Sequence, residues 1–213
     1  MRYNMGRGVN MKYKIYTLFC VMVMLISAIC CNIGNVFADN VVLDISSKSA
    51  ILMDYDSKTI VYEKDSTKKL PIASMVKLMT ILLTFEELDK NTISLDDMVE
   101  TSENASRMGG SQVFIDPYVE YRLEDLLKSV IISSANDASV ALAEKISGSE
   151  EQFVDYMNNR AKELGMNDTV YANSTGLPAP QQYSTAKDCA ILLSELLKHE
   201  DYHKYSTIWM DEL

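Results

Sequence analysis

The sequence predicts an α+β domain with a large helical part, preceded by a removable leader. Three observations carry that prediction. Two short β-prone runs, Ala50 to Asp54 and Thr59 to Glu63, flank a polar Asp56-Ser57-Lys58 turn and read as a hairpin. From Ser74 onward, five segments show helical rather than strand spacing. The first 38 residues contain no Asp or Glu and join a basic start to an apolar run.

The leader comes first. Arg2, Arg7, Lys12 and Lys14 precede or border the apolar stretch Ile15 to Ile29, and Val36-Phe37-Ala38 supplies a small-x-small cleavage site before Asp39. Met11 is an alternative start that would give a leader of more usual length. The competing reading is an uncleaved anchor helix, but the run falls short of the roughly 20 apolar residues that span a bilayer. Cleavage after Ala38 would leave 175 of the 213 residues; it removes four cations and no acid, so the formal charge falls from −10 to −14. An acidic surface argues against nucleic acid and against electrostatic attachment to anionic lipid. Cys20, Cys30 and Cys31 leave with the leader, so Cys189 remains alone, in the helical context CAILLSELL that suggests burial. Export without an internal disulfide fits the outer face of a bacterial envelope.

Between Asp39 and Leu213 there is no repeat, low-complexity tract or linker-like stretch. After the hairpin, Ser74 to Leu88 is apolar on every side, as expected of a helix buried all round. Leu123 to Ile132, Ala138 to Ile146, Glu150 to Leu164 and Thr185 to Lys198 complete the helical set. Strand content is thin, and an isolated hairpin is marginal in water, so the hairpin should pack on something further.

Candidate chemistry begins at Lys77, the one charge in MVKLMTILLTF. Ser74 lies one helical turn earlier, and residues at i and i+3 share a face with Cβ atoms about 5–6 Å apart. The ordinary reading is a serine N-cap followed by a snorkelling lysine. Desolvation, however, lowers a lysine pKa, and a neutral amine beside a hydroxyl is a general base beside a nucleophile. S-x-x-K recurs at Ser66–Lys69, in the solvated segment EKDSTKK, and at Ser184–Lys187, before a polar helix start. Among the three copies, Lys77 alone is embedded in apolar sequence.

A second element is Ser134-Ala135-Asn136, at a short junction between two apolar helices. Its ordinary reading is helix capping by Asn136 or Asp137; a further S-x-N, Ser102-Glu103-Asn104, sits in polar surroundings. His199-Glu200-Asp201-Tyr202-His203 matches H-E-x-x-H. The segment reads as the solvated C-terminal end of the preceding helix, and no third ligand is evident in the ten residues that follow. These are the two histidines of the chain, so a Ser-His-Asp triad is poorly supported. Gly-rich phosphate loops and cysteine clusters are absent from the sequence.

S-x-x-K followed by S-x-N is the active-site pattern of penicillin-binding proteins and β-lactamases. The blocks LPIASMVKLMT, NASRMGGSQVFI, YRLEDLLKSVIISSANDASVALAE, MNDTVYANSTGL and YSTAKDCAILLSELL, spread from about Ala50 to Leu213, resemble the D-alanyl-D-alanine carboxypeptidases. That resemblance implies a β-lactamase/DD-peptidase-like fold, with a helical subdomain and an antiparallel sheet. It implies Ser74 as nucleophile, Lys77 as general base, Ser134 as proton relay and Asn136 as the group that orients lysine and substrate. Implied partners are a peptidoglycan stem peptide ending in D-Ala-D-Ala and β-lactam antibiotics as covalent inhibitors; no metal or organic cofactor is implied. The family's third motif, K-T-G, does not occur, and Ser174-Thr175-Gly176 has its ending without a cation. The chain therefore reads as a signal peptide, 1–38, and a partial catalytic domain, 39–213, lacking the C-terminal sheet strands. Two readings of the whole remain: a carboxypeptidase with its remainder missing from this sequence, or a defective envelope protein that binds muropeptides or β-lactams without turnover. Membrane association is expected only through an anchor beyond Leu213.

Overall fold

The computed structural model describes residues 10–31 and 45–209. The predicted cleavage site after Ala38 lies outside the described residues. The chain divides into two units, Met1–Ser46 and Ser47–Leu213. In the first, α1 (Asn10–Cys31) carries the apolar run of the leader. Among the described residues, no helix is long and apolar enough to cross a membrane.

The second unit opens with the predicted hairpin. Strands β1 (Ala50–Met53) and β2 (Ile60–Lys64) pair antiparallel, with Ala50 opposite Lys64 and an irregularity between Leu52 and Met53. The turn closes because Asp54 Oδ1 accepts from Ser57 N at 2.8 Å and from Ser57 Oγ at 2.6 Å, an Asx-type turn. A 3₁₀ turn, Ala73–Val76, runs directly into α2 (Lys77–Asp89). Then come β3 (Met98–Glu100), α3 (Glu103–Ser106), β4 (Glu120–Arg122), α4 (Leu123–Ser133) and α5 (Asn136–Ser147). The unit continues with α6 (Glu150–Glu163), α7 (Ala186–Leu196) and α8 (Glu200–Ser206). β3 and β4 form a second antiparallel pair, with Met98 opposite Arg122.

Helix α5 is the centre of the core, packed by α2, α3, α4 and α6. Every residue from Asn136 to Ala143 is buried, and its small side chains, Ala138, Ser139, Ala141 and Ala143, let the neighbouring helices close in. Met79 to Phe85 of α2 are likewise all buried, as the all-round apolar pattern predicts. Thr80 and Thr84 enter this core because their hydroxyls are satisfied, Thr84 by the Thr80 carbonyl and Thr80 by the Ser174 carbonyl, at 2.8 and 2.9 Å. Helix α7 packs against both α2 and β1, giving the hairpin the further structure it requires. Cys189 is buried in α7, as expected.

Helix ends follow ordinary capping. Ser149 caps α6 by accepting from Gln152 N at 3.2 Å, and Thr185 caps α7 by accepting from Asp188 N at 3.0 Å. One predicted boundary is wrong. The helix expected to run to Lys198 stops at Leu196, and His199 is instead the N-cap residue of a separate helix, α8.

Candidate active site

Ser74 sits in the 3₁₀ turn with its side chain exposed. The N-cap reading of this residue does not hold: the cap position of α2 is Val76, that of the 3₁₀ turn is Ile72, and neither makes a side-chain cap bond. The hydroxyl is therefore not engaged in finishing a helix. Ala73, just before it, takes the left-handed conformation at φ +46, a position that costs an L-residue energy and persists where surrounding structure enforces it. That enforcement comes from Gly176. A Cβ added there would lie 2.0 Å from the Ala73 carbonyl oxygen and 2.9 Å from Ser74 N. Glycine lets the two backbones touch, and the touch sets the position of the serine.

Lys77 is the first residue of α2 and is 4% exposed. Its Nζ donates to Asn136 Oδ1 and to the Thr175 carbonyl, each at 2.7 Å. Both partners are neutral. Burial thus acts on the ammonium without an opposing anion among these partners, and it lowers the pKa from 10.5 to about 8. A neutral amine has two N–H donors and one lone pair. With both donors given to Asn136 and Thr175, the lone pair is left to take a proton.

Asn136 is held in one orientation. Its Nδ2 donates to the Gly109 carbonyl at 2.6 Å, its backbone N–H donates to the Ser111 carbonyl at 2.7 Å, and its Oδ1 is thereby turned to the lysine. Gly110, at φ +81, allows this close approach, since a Cβ there would lie 2.8 Å from Asn136 Nδ2. The next residue, Asp137, is wholly buried and accepts from Val113 N, Ile115 N and Ala138 N, tying the 109–115 segment to the start of α5. Capping is not the role of either side chain, because the N-cap of α5 is Ala135.

Ser134 occupies the left-handed C-cap of α4 at φ 54 and is half-buried, two residues before Asn136. The described bonds of Lys77 go to Asn136 and Thr175, so the structure joins Lys77 to Asn136 directly, while Ser74 follows the left-handed Ala73 and Ser134 is itself left-handed. Sequence reasoning missed Thr175. Its contribution is a backbone carbonyl, and its loop is clamped from three helices. The Ser174 carbonyl accepts from Thr80 and Ser139 hydroxyls at 2.9 and 2.8 Å, while Glu150 Oε1 accepts from Ser174 N and Oγ. Asn173 Oδ1 accepts from Gly176 N at 2.7 Å. The Asn-Ser-Thr-Gly cluster before Pro178 is the signal of an ordered turn that could have pointed there.

The competing motifs have structural uses. Ser66 is 5% exposed, not solvated as its sequence context suggests, and its hydroxyl bonds Glu63, while Lys69 pairs with Asp168 at 3.0 Å. Ser184 is buried against Thr169, and Lys187 is exposed. Ser102 caps α3. His199 Nδ1 lies 2.9 Å from Asp89 Oδ2 and its ring stacks on Phe85, whereas His203 Nε2 faces the Leu197 carbonyl at 3.1 Å. Among the described residues, no group of three or more His, Cys, Asp or Glu side chains could hold a metal ion.

Fold and site together define a DD-peptidase-like domain of the α+β class. The chain belongs to the D-alanyl-D-alanine carboxypeptidase family, whose model matches residues 35–213. Over 167 residues it is 49% identical to the D-alanyl-D-alanine carboxypeptidase DacF of Bacillus subtilis, covering 78% of this chain and 43% of that protein. DacC of Escherichia coli is 38% identical over 168 residues, covering 76% of this chain and 42% of that protein. Among solved structures, the carboxypeptidase DacD from Francisella tularensis superposes with a TM-score of 0.75 at 34% identity, covering 77% of this chain and 40% of that one. Penicillin-binding protein D2 from Listeria monocytogenes, in its ampicillin-bound form, gives a TM-score of 0.66 at 31% identity, covering 75% and 65%. The chain thus spans less than half the length of these two curated relatives.

Proposed function

We propose that the protein is a serine-type D-Ala-D-Ala carboxypeptidase, which trims the terminal D-Ala from peptidoglycan stem peptides through an acyl-enzyme on Ser74. The observation that carries this reading is the buried amine of Lys77, held by two neutral acceptors one turn from an exposed serine. Neutral Lys77 takes the Ser74 Oγ proton as the oxygen attacks the carbonyl carbon of the penultimate D-Ala. The C–N bond then breaks, and Ser134 relays a proton to the departing amine. Asn136 keeps the lysine aligned and orients the substrate amide. Water hydrolyses the ester and restores the serine. A β-lactam follows the first half of this course: Ser74 opens the ring, and the leaving amine stays tethered to the acyl group. Supporting the reading are the names of the relatives and the ampicillin carried by one structural neighbour. Residues 1–38 act as a cleaved export signal, so that residues 39–213 work on the outer face of a bacterial envelope.

The test is covalent labelling with a fluorescent penicillin. Wild-type protein takes the label and Ser74→Ala does not; equal labelling of the two proteins would refute the assignment.

A further inference from the structure

Three consecutive residues connect the two halves of the candidate site. Thr175 gives its carbonyl to Lys77 Nζ, and Gly176 meets the backbone of Ala73 and Ser74. Asn173 makes the pair one body: its Oδ1 accepts from Thr175 N, Thr175 Oγ1 and Gly176 N at 3.2, 3.2 and 2.7 Å. A turn bonded to itself in this way moves as its anchor moves. The anchor is Ser174, which is fully buried.

Every polar group of Ser174 has a partner on another element. Its carbonyl accepts from the Thr80 and Ser139 hydroxyls, on α2 and α5. Its N–H and its hydroxyl both donate to Oε1 of Glu150, the first residue of α6, at 3.0 and 2.7 Å. Bonds to a carboxylate are roughly twice as strong as neutral ones, so Glu150 is the firmest of the three holds. The ordinary reading of an acidic residue at this place is that it complements the positive end of the helix. Glu151 meets that reading equally well, in the same turn and exposed. What sets Glu150 apart is its pair of bonds to Ser174.

We propose that Glu150 is a positioning residue for the reaction: through Ser174 it fixes both the carbonyl that holds Lys77 and the glycine that seats Ser74. This role rests on the reading of Ser74 as nucleophile and Lys77 as base. One oxygen at the end of a side chain of fixed length serves both bonds, so the role needs reach more than charge. Glutamine keeps an Oε1 acceptor at the same distance. Aspartate keeps the charge at the helix start but falls short by one C–C bond, about 1.5 Å.

The test follows acylation of the full chain by a fluorescent penicillin in stopped flow, with rate constant and labelled fraction read separately. Loss of folded protein lowers the labelled fraction, whereas loss of position lowers the rate constant of the protein that does react. Glu150→Ala and Glu150→Asp react about 10- to 100-fold more slowly, as a displacement approaching 1 Å at the reacting groups requires. Glu150→Gln recovers most of the rate, and Glu151→Ala keeps all of it. A wild-type rate constant in Glu150→Asp, a glutamine variant as slow as alanine, or an equal loss in Glu151→Ala overturns the role of Glu150 while leaving the Ser74 reading intact. Where Glu150→Ala does not fold, Glu150→Asp decides. Equal labelling of wild type and Ser74→Ala overturns the Ser74 reading, and the role of Glu150 with it.

Discussion

Gly176→Ala isolates the contact that positions Ser74, the proposed nucleophile. The new methyl carbon would stand 2.0 Å from the Ala73 oxygen, 2.4 Å from the Ala73 carbonyl carbon and 2.9 Å from Ser74 N. For the two Ala73 atoms, van der Waals contact begins about 1 Å or more further out, so backbone must move, and neither residue offers the flexible tip of a side chain there. Alanine at φ +87 adds roughly 1–3 kcal/mol of conformational strain. A displacement of about 1 Å at a reacting group lowers rate on the order of 10²-fold. Strain of this size lowers Tm by several degrees, at about 2–4 °C per kcal/mol for a domain of this length. Acylation by a fluorescent penicillin in stopped flow, with a thermal melt on the same sample, reads both effects. An alanine variant with wild-type rate and wild-type Tm would refute the claim that the Gly176–Ala73 contact sets the serine.

Four further outcomes are testable. Because Lys77 must be neutral to accept a proton, acylation rises with pH through a midpoint of about 8 and levels above it. The same shift makes unfolded protein bind more protons than folded between about 8 and 10.5; the penalty of the buried ammonium is complete below that window and fades across it, so wild type gains stability relative to Lys77→Ala as pH rises there, measurable by denaturant melts. Asn136→Asp puts a carboxylate 2.7 Å from Lys77 and deprives the Gly109 carbonyl of its donor; acylation near pH 7 falls and its pH profile moves to the alkaline side, an outcome that an unshifted profile would contradict. Tyr171 is 2% exposed and its hydroxyl has no hydrogen-bond partner among the described residues, so Tyr171→Phe folds with equal or higher Tm, and a clear loss would show a hidden partner.

What could be read from the sequence depended on where the information resides. The all-round apolar pattern of α2, the hairpin flanking Asp56-Ser57-Lys58 and the four later helices repeat over enough residues to be read. β3 and β4, at three residues each, are too short to show alternation, and their pairing depends on a loop that returns 20 residues later. The α7–α8 break is set by a local choice at Leu197–His199 that periodicity does not register. At the site, Lys77 was visible because a charge in an apolar run is conspicuous. The direct bond from Lys77 to Asn136 joins residues 59 apart, and nothing local to either encodes it. Thr175 was missed because it acts through its carbonyl, which every residue has; only the loop clamped by Glu150, Thr80 and Ser139 aims it. Ser66 differs for the opposite reason: its chain neighbours are exposed, but Ser66 itself is buried, its hydroxyl donating to Glu63.

The proposed chemistry turns on one property: burial, with no anion paired to it among the described residues, makes Lys77 a base within reach of physiological pH. Titration of Lys77 by NMR in protein with isotope-labelled lysine, assigned through Lys77→Arg, tests it directly. The expected midpoint is about 8, well below the ordinary lysine value of 10.5. A Lys77 amine that stays fully protonated up to that ordinary value would contradict it.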